Sequence, residues 1–355
     1  MLSFKDLNLR FNPFEKQVVY DYDDFVSQPF LLTHSLQMLK IGIENNLVSD
    51  SSIYYVILGE RGSGKTTSLL FLKDIINRKE NPKFVTRYER SIRGMGSYTG
   101  LAEKLLPDAR TIYVENSAKD SLMNYLIGKK YYWFVDVPDL ITKQEIGIML
   151  RGLELLLGFK NISVIIAMNR SHYDKSFDYS EILGKFFVVQ LKPFTFEECK
   201  TLITKRIENA SQGEIKLKFT DGAIEKINEI SKGIPRNIIS ACNSVLLKYQ
   251  QEDEVREIDE EFVVNALGES YAMRVLEERV KEPLRQSLWE LYTFIKTEFN
   301  GKVESETKLA EACMKKLNMS RLTLRKRLLK LEKLGLVSIK KSAKDMWTNV
   351  IEVVV

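Results

Sequence analysis

The chain contains little cysteine and histidine, the residue types that form disulfides and bind zinc. Its 355 residues include 3 cysteines and 2 histidines. Cys199, Cys242 and Cys313 lie far apart, and none has a partner at C-x-x-C spacing, so the sequence predicts small buried thiols in a reducing compartment. With His34 and His172 equally isolated, a zinc site is not expected.

Long apolar runs are also absent. No stretch of roughly eighteen apolar residues occurs, and the amino terminus lacks the basic-then-apolar order of a signal peptide. We therefore expect a cytoplasmic protein that has no membrane partner. The content of 44% hydrophobic and 28% charged residues is typical of a globular protein, and 355 residues predict two or three domains.

Positive charge is concentrated near the carboxyl terminus. The net charge is +5, but residues 301–355 hold 13 Lys and Arg against 6 Asp and Glu, a net +7 that leaves −2 for the rest. A basic segment of this kind is typical of nucleic-acid contact, and a solvated lysine-rich helix is the alternative.

The chain carries a phosphate-binding P-loop within residues 53–72. An apolar strand pattern stops at a glycine, four residues intervene, and Gly-Lys-Thr opens a segment with leucines at helical spacing. Glycines let the backbone fold around an anion, and the following helix turns its free N–H groups toward the phosphates. Residues predicted to bind the nucleotide are Gly59, Gly62, Gly64, Lys65, Thr66 and Thr67.

Two later apolar strands end in polar side chains. Residues 131–135 lead into Asp136, and residues 161–168 lead into Asn169. At the carboxyl edge of a parallel sheet, Asp136 and the Thr66 hydroxyl would hold Mg²⁺. Asn169, expected on a strand between the P-loop strand and the Asp136 strand, would orient the attacking water, unless it only starts a turn.

Alternating strands and helices predict an α/β fold with a parallel sheet covered on both faces. The predicted fifth strand, residues 185–191, leads out of this sheet, and the next four helices, capped in part by Thr195, Thr220 and Asp259, form a separate helical region. Arg236, at the start of the third of these helices, either reaches a phosphate or pairs with a nearby glutamate.

The carboxyl-terminal sequence predicts a winged helix-turn-helix. Three helices precede two strands around a polar turn. On the third helix, leucines occupy one side and basic residues the other, which indicates double-stranded DNA as partner, with a protein-contact domain as the alternative. The residues predicted to contact DNA are Arg321, Thr323, Lys326, Arg327, Lys330, Lys340, Lys341 and Lys344.

Together, the P-loop, Asp136-Val-Pro-Asp139, Asn169, Pro193-Phe-Thr and Gly233-Ile-Pro-Arg236 resemble AAA+ ATPases with a helical lid. The winged helix makes the chain similar to the initiator branch, the archaeal origin-recognition and helicase-loading proteins. The opening Asn12-Pro-Phe14 also resembles AAA+ ATPases of the secretion and transposition-regulator type. This resemblance implies ATP and Mg²⁺ as cofactors, Asn169 as sensor 1 and Arg236 as sensor 2.

The predicted domains are an AAA+ nucleotide-binding domain (1–194), a helical lid (195–268), a linker (269–284) and a winged helix-turn-helix (285–355).

Two positions depart from the family pattern. Val137 stands where the family usually has the glutamate that activates water, and Asp139 is the nearest carboxylate. We therefore predict Asp139 and Asn169 as catalytic residues of a weak ATPase in which hydrolysis is slow or absent. Lys185 and Arg170 are the candidates for the family's arginine finger.

The resulting hypothesis is an ATP-dependent DNA-binding protein in which Mg-ATP switches the lid and the winged helix on duplex DNA, in replication initiation or helicase loading. The alternatives are an ATPase that remodels a protein partner and a regulator of transposition or plasmid maintenance. A helicase, a recombinase or further copies of the chain are the protein partners considered.

Overall fold

The chain forms two compact units. The first comprises residues 2–217 and 227–243, and the second comprises residues 218–226 and 244–355 together with Met1. The division into four domains made from the sequence stays a prediction. The computed structural model describes residues 1–16, 19, 22–49, 51–90, 95–106, 115–176, 180–268, 280, 284–334, 336–341 and 349–353.

A five-stranded sheet forms the centre of the first unit. Its neighbouring strands are parallel and lie in the order β2-β3-β4-β1-β5. β4 lies between β1 and β3, as predicted, so the P-loop, Asp136 and Asn169 meet at one edge of the sheet. The strands are β1 (Tyr54–Gly59), β2 (Phe84–Glu89), β3 (Lys130–Asp136), β4 (Ile162–Asn169) and β5 (Phe187–Gln190).

Both faces of the sheet pack against apolar side chains. Successive residues of a strand point to opposite faces, so Val56 and Leu58 join one core cluster and Ile57 joins another. Trp133 and Phe134 divide between the same two clusters. This two-sided burial explains why β3 and β4 have almost continuous apolar sequences.

β5 is partly exposed. Phe187 is 75% exposed and Val188 is 42% exposed. The strand is also shorter than the predicted 185–191, and it lies at the edge of the sheet beside β1. The predicted fifth strand is therefore present as an edge strand, because an apolar sequence alone does not distinguish a central strand from an edge strand.

Two helices of the first unit begin at capping boxes. Thr142 and Glu145 form a capping box at the start of α6, and Thr195 and Glu198 form another at the start of α9. The helices are α1 (Tyr22–Ser27), α2 (His34–Leu47), α3 (Lys65–Asn77), α4 (Tyr98–Leu105), α5 (Glu115–Leu126), α6 (Lys143–Leu156), α7 (Arg170–Asp174), α8 (Ser180–Leu183) and α9 (Phe196–Ala210).

The helical region after the sheet has the four predicted helices. After α9 come α10 (Asp221–Ser231), α11 (Pro235–Tyr249) and α12, which covers 260–268. The other two predicted caps are also confirmed, since Thr220 Oγ1 accepts from the Ala223 N–H at 3.2 Å and Asp259 Oδ1 accepts from the Phe262 N–H at 2.8 Å. Both α10 and α11 contribute residues to each of the two units.

The second unit ends in three helices and a small antiparallel sheet of order β6-β8-β7. Leu324, Leu328 and Leu331 of the third helix are buried in the core of this region. The predicted hairpin is present, and β6 adds a strand that the sequence did not predict. The elements are α13 (Leu284–Glu298), β6 (Lys302–Val303), α14 (Glu306–Lys316), α15 (Arg321–Lys333), β7 (Val337–Lys341) and β8 (Asn349–Val353).

The three cysteines are buried, as predicted, and burial raises their thiol pKa values. Within the part of the chain that the structure describes, no helix combines the length and the hydrophobicity needed to cross a membrane.

Candidate nucleotide-binding site and nucleic-acid interface

The P-loop is a tight turn between β1 and α3. β1 ends at Gly59 and α3 begins at Lys65. Gly62 and Gly64 have φ angles of 86° and 95°, in the left-handed region where a Cβ atom is disfavoured. The turn therefore requires glycine at both positions, and the first N–H groups of α3 face the loop, as an anion site needs.

Lys65 lies inside this turn and is 7% exposed. Its Nζ donates to the Gly59 carbonyl at 3.2 Å, to the Glu60 carbonyl at 2.9 Å and to Asn169 Oδ1 at 2.7 Å. Burial lowers the pKa of Lys65, although Asp139 and Asp136 oppose the change. A buried ammonium held largely by neutral oxygens fits a polyanionic ligand such as a triphosphate.

The two predicted metal ligands are in direct contact. Thr66 Oγ1 donates to Asp136 Oδ2 at 2.7 Å, and the Asp136 side chain is 12% exposed. The same oxygen accepts from Tyr88 Oη at 2.9 Å. A hydroxyl and a carboxylate are ligands that Mg²⁺ prefers, so these residues fit the ion that accompanies ATP.

The two predicted catalytic residues also touch. Asn169 Nδ2 donates to Asp139 Oδ1 at 2.8 Å, and the Arg61 Nε atom lies 3.3 Å from Asp139 Oδ2. Because Asn169 also accepts from Lys65, it joins the P-loop lysine to this carboxylate. Val137 is 3% exposed and packs in a core cluster, so it presents no polar group to the site.

Arg236 begins α11 next to the P-loop. Its backbone N–H donates to the Gly62 carbonyl at 3.2 Å, and a Cβ atom on Gly62 would lie 2.8 Å from Arg236 Cβ. The start of the helix is fixed by Gly233, whose φ is 66° and whose carbonyl accepts from the Phe194 N–H at 2.7 Å. Of the two roles left open by the sequence, this placement favours contact with a phosphate.

A cleft of about 540 Å³ contains the P-loop side chains together with an apolar surface that the sequence did not predict. Phe25 and Phe30 line this surface, and their rings meet edge to face with centroids 5.6 Å apart. From the sequence, the acidic aromatic run at 20–25 is expected only to pack against the nucleotide domain. The order of apolar residues in this run gives no indication that its side chains line a cleft.

Two polar side chains line the cleft beside these aromatic residues. Arg206 is 6% exposed; its guanidinium donates to the carbonyls of Pro13 and Lys16 at 3.0 Å each and to Gln28 Oε1 at 2.6 Å. Burial lowers the pKa of Arg206 to about 10. Gln28 Nε2 is buried without a hydrogen-bond partner among the described residues.

The basic face of α15 is placed as the sequence predicted. The buried leucines turn the opposite side outward, where Arg321, Lys326 and Lys330 are exposed, and Thr323 and Arg327 are half-buried. Lys340 and Lys341, at the end of β7, are exposed, and Lys344 lies outside the described residues. Arg325 is exposed too, 3.8 Å from Glu306, and was not among the predicted contacts.

The class of the fold follows from four features. These are the parallel sheet, the P-loop, the helical region, and the terminal helices with their small antiparallel sheet. The predicted α/β fold class with a parallel sheet is confirmed, and the three terminal helices with their small antiparallel sheet are consistent with the predicted winged helix-turn-helix. The sequence matches no known family profile, and a search of curated proteins finds no similar sequence.

Solved structures share this fold at low sequence identity. Cdc6p from Pyrobaculum aerophilum matches with a TM-score of 0.50 and 17% identity, over 92% of this chain and 91% of that chain. Orc1 from Aeropyrum pernix, solved in complex with DNA, has a TM-score of 0.46 and 15% identity, over 92% and 90%. The RuvB Holliday junction branch migration motor of Thermotoga maritima has a TM-score of 0.42 and 15% identity, over 96% and 95%. Identities this low establish the fold alone.

Proposed function

We propose that the protein binds Mg-ATP in the P-loop cleft and that bound ATP strengthens its binding to duplex DNA. The observation that carries the proposal is that Lys65, Thr66, Asp136 and Arg236 line one cleft, and that Asn169 bonds Lys65. These are the groups needed to neutralise a triphosphate and to hold its metal ion.

Each of these side chains has a separate task toward the nucleotide. Lys65 exchanges neutral carbonyl and amide acceptors for phosphate oxygens, and Arg236 adds a second positive charge beside Gly62. Thr66 and Asp136 hold Mg²⁺, which supplies positive charge to the phosphates. The rings of Phe25 and Phe30 line the same cleft and would exclude water from the base.

Hydrolysis is proposed to be slow. Asp139 acts as the base, and Asn169 orients the water between this carboxylate and Lys65. Asp139 already bonds Asn169 and pairs with Arg61, so a water must share it with two other groups. ATP therefore acts more as a conformational ligand than as a source of energy.

Contact with DNA is assigned to α15, with further contacts from Lys340 and Lys341 at the end of β7. The exposed Lys326 and Lys330 lie opposite the buried leucines, as in a helix that enters a major groove, and Lys340 and Lys341 contact a phosphate backbone. A P-loop unit joined to a basic winged helix supports replication initiation or helicase loading as the biological setting.

Nucleotide binding is tested with a fluorescent ATP analogue in Mg²⁺. We expect saturable binding that competes with ATP, and a loss of affinity of at least about tenfold in Lys65→Ala, because a charge-assisted contact to phosphate disappears. Lys79→Ala, at an exposed lysine just beyond α3, is the matched control and should bind like the wild type. Equal affinity in Lys65→Ala and the wild type would show that the P-loop does not hold the nucleotide.

A further inference from the structure

The end of β2 brings two side chains to the predicted metal site. β2 pairs with β3 in a register that sets Tyr88 opposite Phe134 and Glu89 opposite Val135. Arg90 follows directly and therefore lies alongside Asp136. The side chains of Tyr88 and Arg90 share one face of the strand because successive residues alternate.

Hydrogen bonds link Arg90 to Tyr88 and Tyr88 to the Asp136 carboxylate. Arg90 Nε donates to Tyr88 Oη at 3.1 Å, and Tyr88 Oη donates to Asp136 Oδ2 at 2.9 Å. Arg90 Nε itself is 3.6 Å from the same oxygen, and the guanidinium carbon is 5.8 Å from the centre of the Tyr88 ring. Arg90 also lines the cleft that contains the P-loop.

The carboxylate therefore already has a positively charged neighbour where a metal ion is expected. A side chain that is only 12% exposed needs a nearby cation or donor to remain charged. Arg90 and Mg²⁺ carry charges of the same sign, so both cannot approach one oxygen closely without strong repulsion. Tyr88 donates to the same oxygen and so holds the carboxylate in place.

We propose that Arg90 competes with Mg²⁺ for Asp136, so that it replaces the metal ion at this carboxylate when ATP is bound without Mg²⁺ and sets the Mg²⁺ concentration that the site requires. The inference rests on the proposed function, because it concerns the metal that accompanies ATP. Tyr88 is the positioning residue that keeps Asp136 within reach of both cations.

Removing Arg90 has two expected effects of opposite direction. In EDTA, the affinity of Arg90→Ala for ATP falls about fivefold, because the triphosphate then faces an uncompensated Asp136. In a Mg²⁺ titration, the free Mg²⁺ concentration that half-maximally enhances ATP binding also falls, by about threefold or more, because no guanidinium occupies the carboxylate. A variant that merely loosened the site would weaken both ATP binding and the response to Mg²⁺.

The experiment measures binding of ATP to the full chain by calorimetry, first in EDTA and then over a series of free Mg²⁺ concentrations. Arg87→Ala is the matched control, since Arg87 is an exposed arginine of the same strand whose side chain is on the opposite face. Thermal unfolding curves establish that both variants fold like the wild type.

Three results would overturn the inference. If Arg90→Ala needs as much Mg²⁺ as the wild type, or more, Arg90 does not compete with the metal. If its affinity in EDTA is unchanged, Arg90 does not replace the metal. If the wild type binds no ATP in EDTA or in Mg²⁺, the proposed function fails as well, whereas the first two results overturn the inference alone.

Discussion

At the scale of single residues, Asn169 and Asp139 determine how the site would treat bound ATP. The Asn169 amide bonds Lys65 through its oxygen and Asp139 through its nitrogen. The orientation of the amide is therefore fixed by a cation on one side and a carboxylate on the other. Exchange of Asp139 should therefore alter hydrolysis more than binding, whereas Lys65 serves binding itself.

We predict that Asp139→Asn lowers the rate of ATP hydrolysis by about 100-fold, because an amide cannot accept the proton of water. The affinity for ATP should change less than about twofold, since the phosphates are held by Lys65 and Arg236. Hydrolysis is measured by phosphate release at saturating ATP, with Asp120→Asn on α5 as a control at an exposed carboxylate. Unchanged hydrolysis in Asp139→Asn would exclude Asp139 as the base.

The sequence predicted the site residues that belong to local motifs. Lys65 and Thr66 follow from the glycine spacing, and Asp136 follows from the strand before it. Tyr88 and Arg90 could not be predicted, since their role depends on the register between β2 and β3. The same holds for Gln28 and Arg206, which come together across 178 residues of sequence.

At the scale of elements, the P-loop turn requires glycine for two different reasons. Gly62 and Gly64 both have positive φ, but only at Gly62 would a Cβ atom meet another side chain, that of Arg236 at 2.8 Å. A Cβ atom on Gly64 would have no other atom within 4 Å. Substitution at Gly64 therefore tests backbone strain alone, and substitution at Gly62 tests strain together with crowding against Arg236.

We predict that ATP affinity falls most in Gly62→Ala, by about tenfold or more, and less in Gly64→Ala, where backbone strain of about 1–2 kcal/mol acts alone. Gly158→Ala is the control, because a Cβ atom on that glycine would meet no other atom within 4 Å and its φ is not positive. Affinity is measured with the fluorescent ATP analogue. If Gly62→Ala bound ATP as well as Gly158→Ala, the contact with Arg236 would have no role in binding.

The second element-scale prediction concerns α15. Replacement of both Lys326 and Lys330 by alanine should lower DNA affinity and reduce the slope of log affinity against log salt by about two, one for each phosphate that is no longer neutralised. The control is the double replacement of Lys315 and Lys316 at the end of α14, which removes the same charge. Equal decreases in DNA affinity in the two double variants would indicate a general effect of charge rather than binding through α15.

Elements with a recurring apolar pattern were predicted closely, and elements without a clear pattern or boundary were not. α15 and the hairpin strands β7 and β8 agree with the sequence within a few residues because apolar positions recur along them. β6 has two residues and exists through pairing with β8, so it has no pattern of its own. α5 was missed because glycine and proline before it obscured where a helix could begin.

At the scale of the whole molecule, the proposed ATP site and DNA face belong to different units. The P-loop and Arg236 are in the first unit, and α15 is in the second. α11 begins with Pro235 and Arg236, and its residues from Ser244 onward belong to the second unit. α11 therefore carries residues of the proposed ATP site at its start and residues of the second unit at its end.

The binding of duplex DNA with and without Mg-ATP tests this account most directly. We expect about tenfold tighter binding in Mg-ATP, within the usual range for coupled sites, and no such gain in Lys65→Ala. The measurement is a fluorescence titration of labelled duplex DNA at fixed salt, because affinity for DNA varies strongly with ionic strength. Equal DNA affinity of the wild type with and without Mg-ATP would contradict a nucleotide switch.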